Sequence, residues 1–491
     1  GGVRRLGIED LNARCTAQLL AAMSRAGRSE PAVLSPLLHA IKTEAIGPND
    51  PPVLAPQTVI GARIGAARGG DWVMEGRDVG VCLGAMATLE VKDDAAWSKL
   101  SGIAQRLKPD QVECSDIACI LNAFARAGTT DAPLLRSMSE LALSKRGWGV
   151  PAAAAVANAY ARASEGAGPG LDVEEALFGH LAAEMLQVPA NQITPVLAAR
   201  LLNAFARLSI RNDALLAHLS AALRMRPPTD LDPQTVANVL HATASLHVTD
   251  IPLISALAAA LLATPLEACT PQAVANIAWA CAVQQPMLQV WANKESSGEN
   301  ESDRSVTDWV ARAVAFHFSS MEPSGLSQVH QFLLGAVLDG VPLSPALVAL
   351  QSECRAAFSE SSRAYALSSK PQAQVSAALR RLGYTVQDEA VDEQSGYSFD
   401  CFLPDISLVV EFDGPHHFAQ GSKLPMGATV MKHRHVRSQG LGLVVVNYWE
   451  WSITGSGQDA SPAEQEALLQ SKIDAVLQRR REAADSKLER S

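Results

Sequence analysis

Leu408-Val409-Val410-Glu411-Phe412-Asp413-Gly414-Pro415-His416-His417-Phe418 is the stretch from which the C-terminal fold can be read. Its apolar start reads as a buried strand. Glu411 and Asp413 are two residues apart, so on a strand they project from the same face. Gly414-Pro415 ends the strand, and two imidazoles open whatever follows. A strand edge carrying Glu, Asp and His suits a hard metal ion, a phosphate-rich polymer, or both.

The flanks extend this pattern. Gln372–Leu382 is expected to be a helix with Val375, Ala378, Leu379 and Leu382 on one face, stopped by Gly383. Tyr384-Thr385-Val386 is β-prone. Tyr397–Leu403 alternates as a strand, and Pro404-Asp405 turns it into the strand Ile406–Phe412, so the two should pair as a hairpin. Thr429–Gln439 reads as a basic helix and Leu443–Asn447 as another buried strand. The predicted order is α-β-β-β-α-β. Trp449 and Trp451 face the same way if that last strand continues, either stacking on bases or closing the core.

Upstream, the chain repeats itself. Asn122-Ala123-Phe124-Ala125-Arg126 recurs as Asn158-Ala159-Tyr160-Ala161-Arg162 and Asn203-Ala204-Phe205-Ala206-Arg207. Weaker copies begin at Gly84, His241 and Trp279, with a further one near Ala21. A step of about 38 residues suits two helices and two turns, each pair burying its apolar face only against its neighbours. Pro-Gln and Asp-Pro pairs fit helix starts, where the missing proline N–H has no partner in any case. A helix pair near Gly325–Leu350 is expected to end this array. The polar segment 294–306 is expected to be an acidic loop within it.

Composition sets bounds. The 491 residues are 48% apolar and 5% aromatic and carry a net charge of −10, so nucleic-acid binding must rest on local basic patches. Eight scattered cysteines without a CxxC pair read as core thiols in a reducing compartment. No apolar run reaches the ~20 residues of a membrane span, so no membrane partner is expected. The sequence opens Gly-Gly-Val-Arg-Arg, which is compatible with removal of a targeting peptide.

The repeats resemble octotricopeptide and related organellar RNA-binding repeats, through Pro-Gln-x-Val-Ala-Asn and the Trp/Phe-Ala-x-Ala core. A protein-binding scaffold is the other reading of such a solenoid. The pieces spanning about 371–452 resemble a RAP domain. They are Leu382-Gly383-Tyr384, Ser398-Phe399-Asp400, Val410 to Phe418, Gly427-Ala428-Thr429 with Lys432 and Arg434, and Tyr448-Trp449-Glu450-Trp451. The expected architecture is therefore mainly α. An α-solenoid over 1–350 precedes a small α/β RAP domain over 355–455, similar to the restriction-endonuclease-like core, and a polar helical tail over 456–491. The tail carries a thin apolar stripe of Leu468, Leu469, Ile473, Val476 and Leu477.

The resemblance implies an organellar RNA-binding protein, mitochondrial or alternatively plastid. Its partners would be organellar ribosomal RNA and ribosomal proteins, and no cofactor is expected. The phosphate-contacting candidates are Lys423, Lys432, His433, Arg434, His435 and Arg437, five of them within six residues of one helix. The related endonuclease core suggests an alternative, a Mg²⁺-dependent endoribonuclease. There Asp400, Glu411 and Asp413 would hold the ion, and His417 or Lys432 would supply a positive group. Asp413 stands where that core has lysine, which weighs against hydrolysis. Otherwise Glu411 and Asp413 cap the turn and pair with the basic helix, and His416 and His417 hold the loop.

Overall fold

The computed structural model describes residues 13–44, 74–129, 131–164, 173–284, 306–341, 343–365, 369–452 and 460–488. By packing, the chain divides into two units, 1–208 with 212–219, and 209–211 with 220–491.

The first unit is a stack of helical hairpins. Its helices are α1 (Ala13–Arg25), α2 (Pro31–Glu44), α3 (Gly76–Thr88), α4 (Asp94–Ala104), α5 (Cys114–Ala127), α6 (Ala132–Ser144), α7 (Val150–Ala163), α8 (Val173–Leu186) and α9 (Pro195–Arg207). Odd helices pack on odd helices and even on even, forming two rows. The repeated motif lies in the last turns of α5, α7 and α9, and the weak copy near Ala21 lies in α1, which packs on α3. The alanines explain the close row: Ala123, Ala159, Ala161 and Ala204 are buried, and each leaves room for the neighbouring helix backbone. The register repeats in polar contacts too. Arg126 Nη1 donates to Thr88 Oγ1 at 3.2 Å, one repeat back. Asp131 caps α6 by accepting from the Leu134 N–H (3.0 Å) and also receives the Ser101 hydroxyl.

Helix α10 (Asp213–Arg224) carries the division between the units. The second unit continues the same chemistry in α11 (Pro233–Ser245), α12 (Ile251–Leu262), α13 (Pro271–Val283), α14 (Val306–His317), α15 (Pro323–Leu338) and α16 (Pro345–Tyr365). Asp250 repeats the Asp131 device, capping α12 through Leu253 N–H and receiving Ser220. The prolines sit at helix starts as read, with Asp232 and Thr270 capping α11 and α13. α13 packs on α11 and α15, and α15 on α16. α16 is longer than the predicted last hairpin and runs through the 350–355 boundary to Tyr365. The expected acidic loop lies outside the described residues except for Val306, which opens α14.

The C-terminal part has α17 (Lys370–Arg381), β1 (Gln387–Val391), β2 (Ser398–Leu403), β3 (Leu408–Asp413), α18 (Gly427–Ser438), β4 (Gly442–Asn447), α19 (Tyr448–Ser452) and α20 (Pro462–Leu488). The sheet order is β1-β2-β3-β4, antiparallel except for the β3–β4 pair, which α18 joins as a parallel crossover. One face buries Val410, Phe412, Val444 and Val446 under α17 and α20. The other buries Val409 and Leu443 under Val436 of α18 and Phe358 of α16. The tail stripe is confirmed, with Leu469 and Ile473 fully buried on this sheet. Gly427 is required where α18 meets α11, because a Cβ there would run into the Ala244 carbonyl.

Three local expectations need correction. The first strand begins at Gln387, not at the β-prone Tyr384–Val386, whose side chains instead cover the core edge. Trp449 and Trp451 lie on a helical turn, so they diverge: Trp451 enters the core and Trp449 stays half-buried. Of the eight thiols, five are buried, but Cys15 and Cys119 are exposed. Among the described residues no helix is long and apolar enough to cross a membrane.

Candidate nucleic-acid interface and its buried ionic latch

β3 places Glu411 and Asp413 on the face toward α18, as the two-residue spacing predicts, and both are almost wholly buried. Lys432 on α18 meets Glu411, Nζ to Oε2 at 2.6 Å. His433 Nε2 lies 3.5 Å from Asp413 Oδ2, and His417 Nδ1 lies 3.0 Å from Asp413 Oδ1. Asp400, on the neighbouring strand, accepts the Phe412 N–H at 2.7 Å and the Gln372 side-chain amide at 2.9 Å. The structure thus brings together Asp400, Glu411, Asp413, His417 and Lys432 in one cluster.

Burial first, then the Asp400 and Asp413 charges, push the Glu411 carboxyl up to about 7 against the pull of Lys432. Burial opposes the charged Lys432, but Glu411 and Asp400 outweigh it and raise its pKa, so it stays an ammonium. Burial also works against Asp413 ionising, yet the hydrogen bonds and charges of His417 and His433 hold it well below the usual carboxylate range. The same bond raises His417 against the cost of its own burial.

A divalent ion needs several oxygen donors converging on one point. Asp400 has both oxygens engaged, Asp413 faces two imidazoles, and Glu411 Oε2 faces an ammonium. Glu411 Oε1 is buried without a hydrogen-bond partner, and Asp413 Oδ1 is buried with only its 3.0 Å ionic contact to His417. Among the described residues, no three carboxylate, imidazole or thiol groups are arranged to hold a metal. As arranged, the cluster does not fit magnesium. It is an ionic latch between β3 and α18.

The titration of Glu411 makes a prediction. Its folded pKa lies above the ordinary 4.5, so its contribution to stability is present at low pH and lost as pH rises from about 4.5 to about 7. Thermal melts across that window should show the wild type falling relative to Glu411→Gln, whose amide does not titrate. Parallel melting curves would refute a raised pKa.

The basic helix is not the phosphate-facing stripe that the sequence suggested. Lys432 and His433 face the carboxylates. Arg434 turns to the end of α13, donating to the Ala282 carbonyl and, at 3.2 Å, to that of Val283. His435 is buried beside the Tyr397 hydroxyl (3.1 Å), and burial and Arg434 lower its pKa to about 3, so it is neutral. Arg437 and Lys423 remain exposed.

Lys423 belongs to a surface that the sequence did not reveal. Asp413 fixes His417, and His417 O accepts from Met426 N–H at 2.8 Å, pinning the 414–426 loop at both ends. The loop sets the Lys423 ammonium 5.0 Å from the centre of the Trp449 ring. Phe418 and Tyr448 support that ring edge-on at 4.6 and 5.0 Å. Trp449 lies two residues past β4 and Gly414 follows β3, so this half-exposed ring, its cation and exposed His416 sit at the carboxyl ends of the two parallel strands. Open α/β sheets bind ligands at such ends.

A mixed sheet with one parallel crossover, an acidic strand end latched to a basic helix, and an aromatic–cation pair at its edge define a small α/β module. Residues 410–459 match the family model of the RAP domain. The chain carries a RAP domain, an RNA-associated type, behind an array of helical repeats.

Proposed function

We propose that this chain is an organellar RNA-binding protein that binds or stabilises ribosomal RNA in mitochondria, as a ribosome component or assembly factor. The plastid is the alternative compartment. The observation that carries the reading is the RAP domain itself, with half-exposed Trp449 and exposed Lys423 at the carboxyl edge of its parallel strands. An aromatic face stacks on bases of any sequence, and a nearby cation neutralises phosphate. The acidic latch serves this surface indirectly, by holding α18 and the 414–426 loop in place.

Affinity for a labelled single-stranded RNA tests the reading. Trp449→Ala should weaken binding about five- to a hundredfold, corresponding to about 1–3 kcal/mol for one stacked base. Lys423→Ala should reduce the salt dependence by about 0.7 of a log unit per log unit of salt. Wild-type affinity and salt slope in both variants would refute this surface.

The endoribonuclease alternative is favoured by the buried carboxylate oxygens Glu411 Oε1 and Asp413 Oδ1, which lack hydrogen-bond partners. Under that reading Glu411→Gln abolishes cleavage and leaves binding intact. Under the reading proposed here wild type and variant leave RNA equally whole.

A further inference from the structure

A groove of about 500 Å³ runs between the open edge of β4 and α20, within the ~300–1,000 Å³ range of ligand sites. Its floor is the stretch from Leu441 to Val445, and its charged walls are Arg437, Lys472, Arg479 and Arg480. Two of these cations are engaged by the fold. Arg480 donates to the carbonyls of Ile406 (3.0 Å), Ser407 (3.1 Å) and Gly440 (3.3 Å), clamping the turns that lead into β3 and β4. Lys472 donates to Val445 O at 3.0 Å and pairs with Glu450 at 3.0 Å.

The other two are not so engaged. Arg479 is exposed and donates its Nε to Ala475 O at 3.0 Å. Arg437 is exposed, and among the described residues neither arginine has a carboxylate in ion-pair range. The charge of Arg479 is felt at Arg437, where it adds to burial in disfavouring the guanidinium charge. Both arginines line the groove, and an anion seated there relieves like charges that feel one another. The geometry also limits the shape of that anion. β4 has six residues, so it spans about 20 Å at ~3.3 Å per residue. The arginines flank its start, and Trp449 follows its end. A site with cations at one end of a strand and a stacking ring at the other suits an extended polyanion.

We infer that this groove seats the sugar-phosphate backbone of a single RNA strand, with Arg437 and Arg479 on its phosphates. The inference rests on the RNA-binding reading above. It also makes α20, which lies beyond the matched segment, part of the binding surface.

The test compares the full chain with Arg437→Ala/Arg479→Ala and Arg437→Lys/Arg479→Lys variants. Trp449→Ala is the reference for the other site. Binding of a fluorescent single-stranded RNA is read by anisotropy over a salt series. The alanine pair should lose about tenfold or more in affinity and about 1.4 from the salt slope, the share of two phosphate contacts. The lysine pair should keep most of both. Both side chains are exposed, so unchanged thermal melting is expected and separates lost contact from lost fold. Wild-type affinity and slope in the alanine pair, with binding lost in Trp449→Ala, would overturn the groove and leave the RNA reading standing. Absence of RNA binding by the wild type would overturn both. Intact RNA binding with lost binding to phosphatidylserine vesicles would reassign the groove to a lipid surface.

Discussion

Lys432→Ala should destabilise the C-terminal sheet by about 3–5 kcal/mol at pH 8, because it leaves the Glu411 carboxylate buried without its counter-ion. The loss should shrink toward pH 6. Glu411 already sits at about 7 with the ammonium beside it, and without the ammonium it is protonated even more readily. A protonated carboxyl carries a smaller burial cost than a charged one. Combining Lys432→Met with Glu411→Leu should restore much of the stability, since apolar pairs of similar volume commonly match a buried ion pair. Urea unfolding at both pH values checks this. A loss under about 1 kcal/mol at pH 8 would show that the pair is solvated and no latch exists.

Leu469→Ala with Ile473→Ala should cost about 4–8 kcal/mol, at 2–5 kcal/mol for each truncated core side chain and less than full additivity for neighbours. Both residues are fully buried in the cluster formed by Val410, Phe412, Val444, Val446 and Trp451. A loss of that size approaches the whole stability of an ordinary domain, about 5–15 kcal/mol. The chain cut after 459 should therefore expose this core and bind hydrophobic dyes. Native-like hydrogen-exchange protection of β3 and β4 in the double variant would contradict the claim that α20 is an integral layer of the fold.

The sequence was most legible where side-chain burial is apolar. The run Leu408–Val410, the hairpin through Pro404, the helix stopped by Gly383 and the stripe through Leu469 and Ile473 all announce themselves by period, and all are found. The repeats were legible because the close row of α5, α7 and α9 needs alanine at the same places. The strand Gln387–Val391 was displaced because it lies at a sheet edge and opens on three polar residues, Gln387, Asp388 and Glu389. α18 was misread for a related reason. A helix whose buried face meets carboxylates and helix-end carbonyls looks, in one dimension, like a solvated basic helix. Lys432, His433 and Arg434 therefore read as phosphate ligands when their partners are Glu411, Asp413 and the end of α13. The pairing of Lys423 with Trp449 spans 26 positions (449 − 423) and depends on how the 414–426 loop is pinned. No local pattern carries it.

Engagement of RNA in the cell through the RAP domain, as proposed above, can be tested directly. The most direct measurement is crosslinking followed by sequencing of bound RNA, on wild type and on Lys423→Ala/Trp449→Ala. Defined organellar ribosomal RNA fragments should be enriched with the wild type and depleted with the variant. Equal recovery from both would contradict the assigned surface. Recovery no better than background from the wild type would contradict the claim itself and leave a protein-binding scaffold.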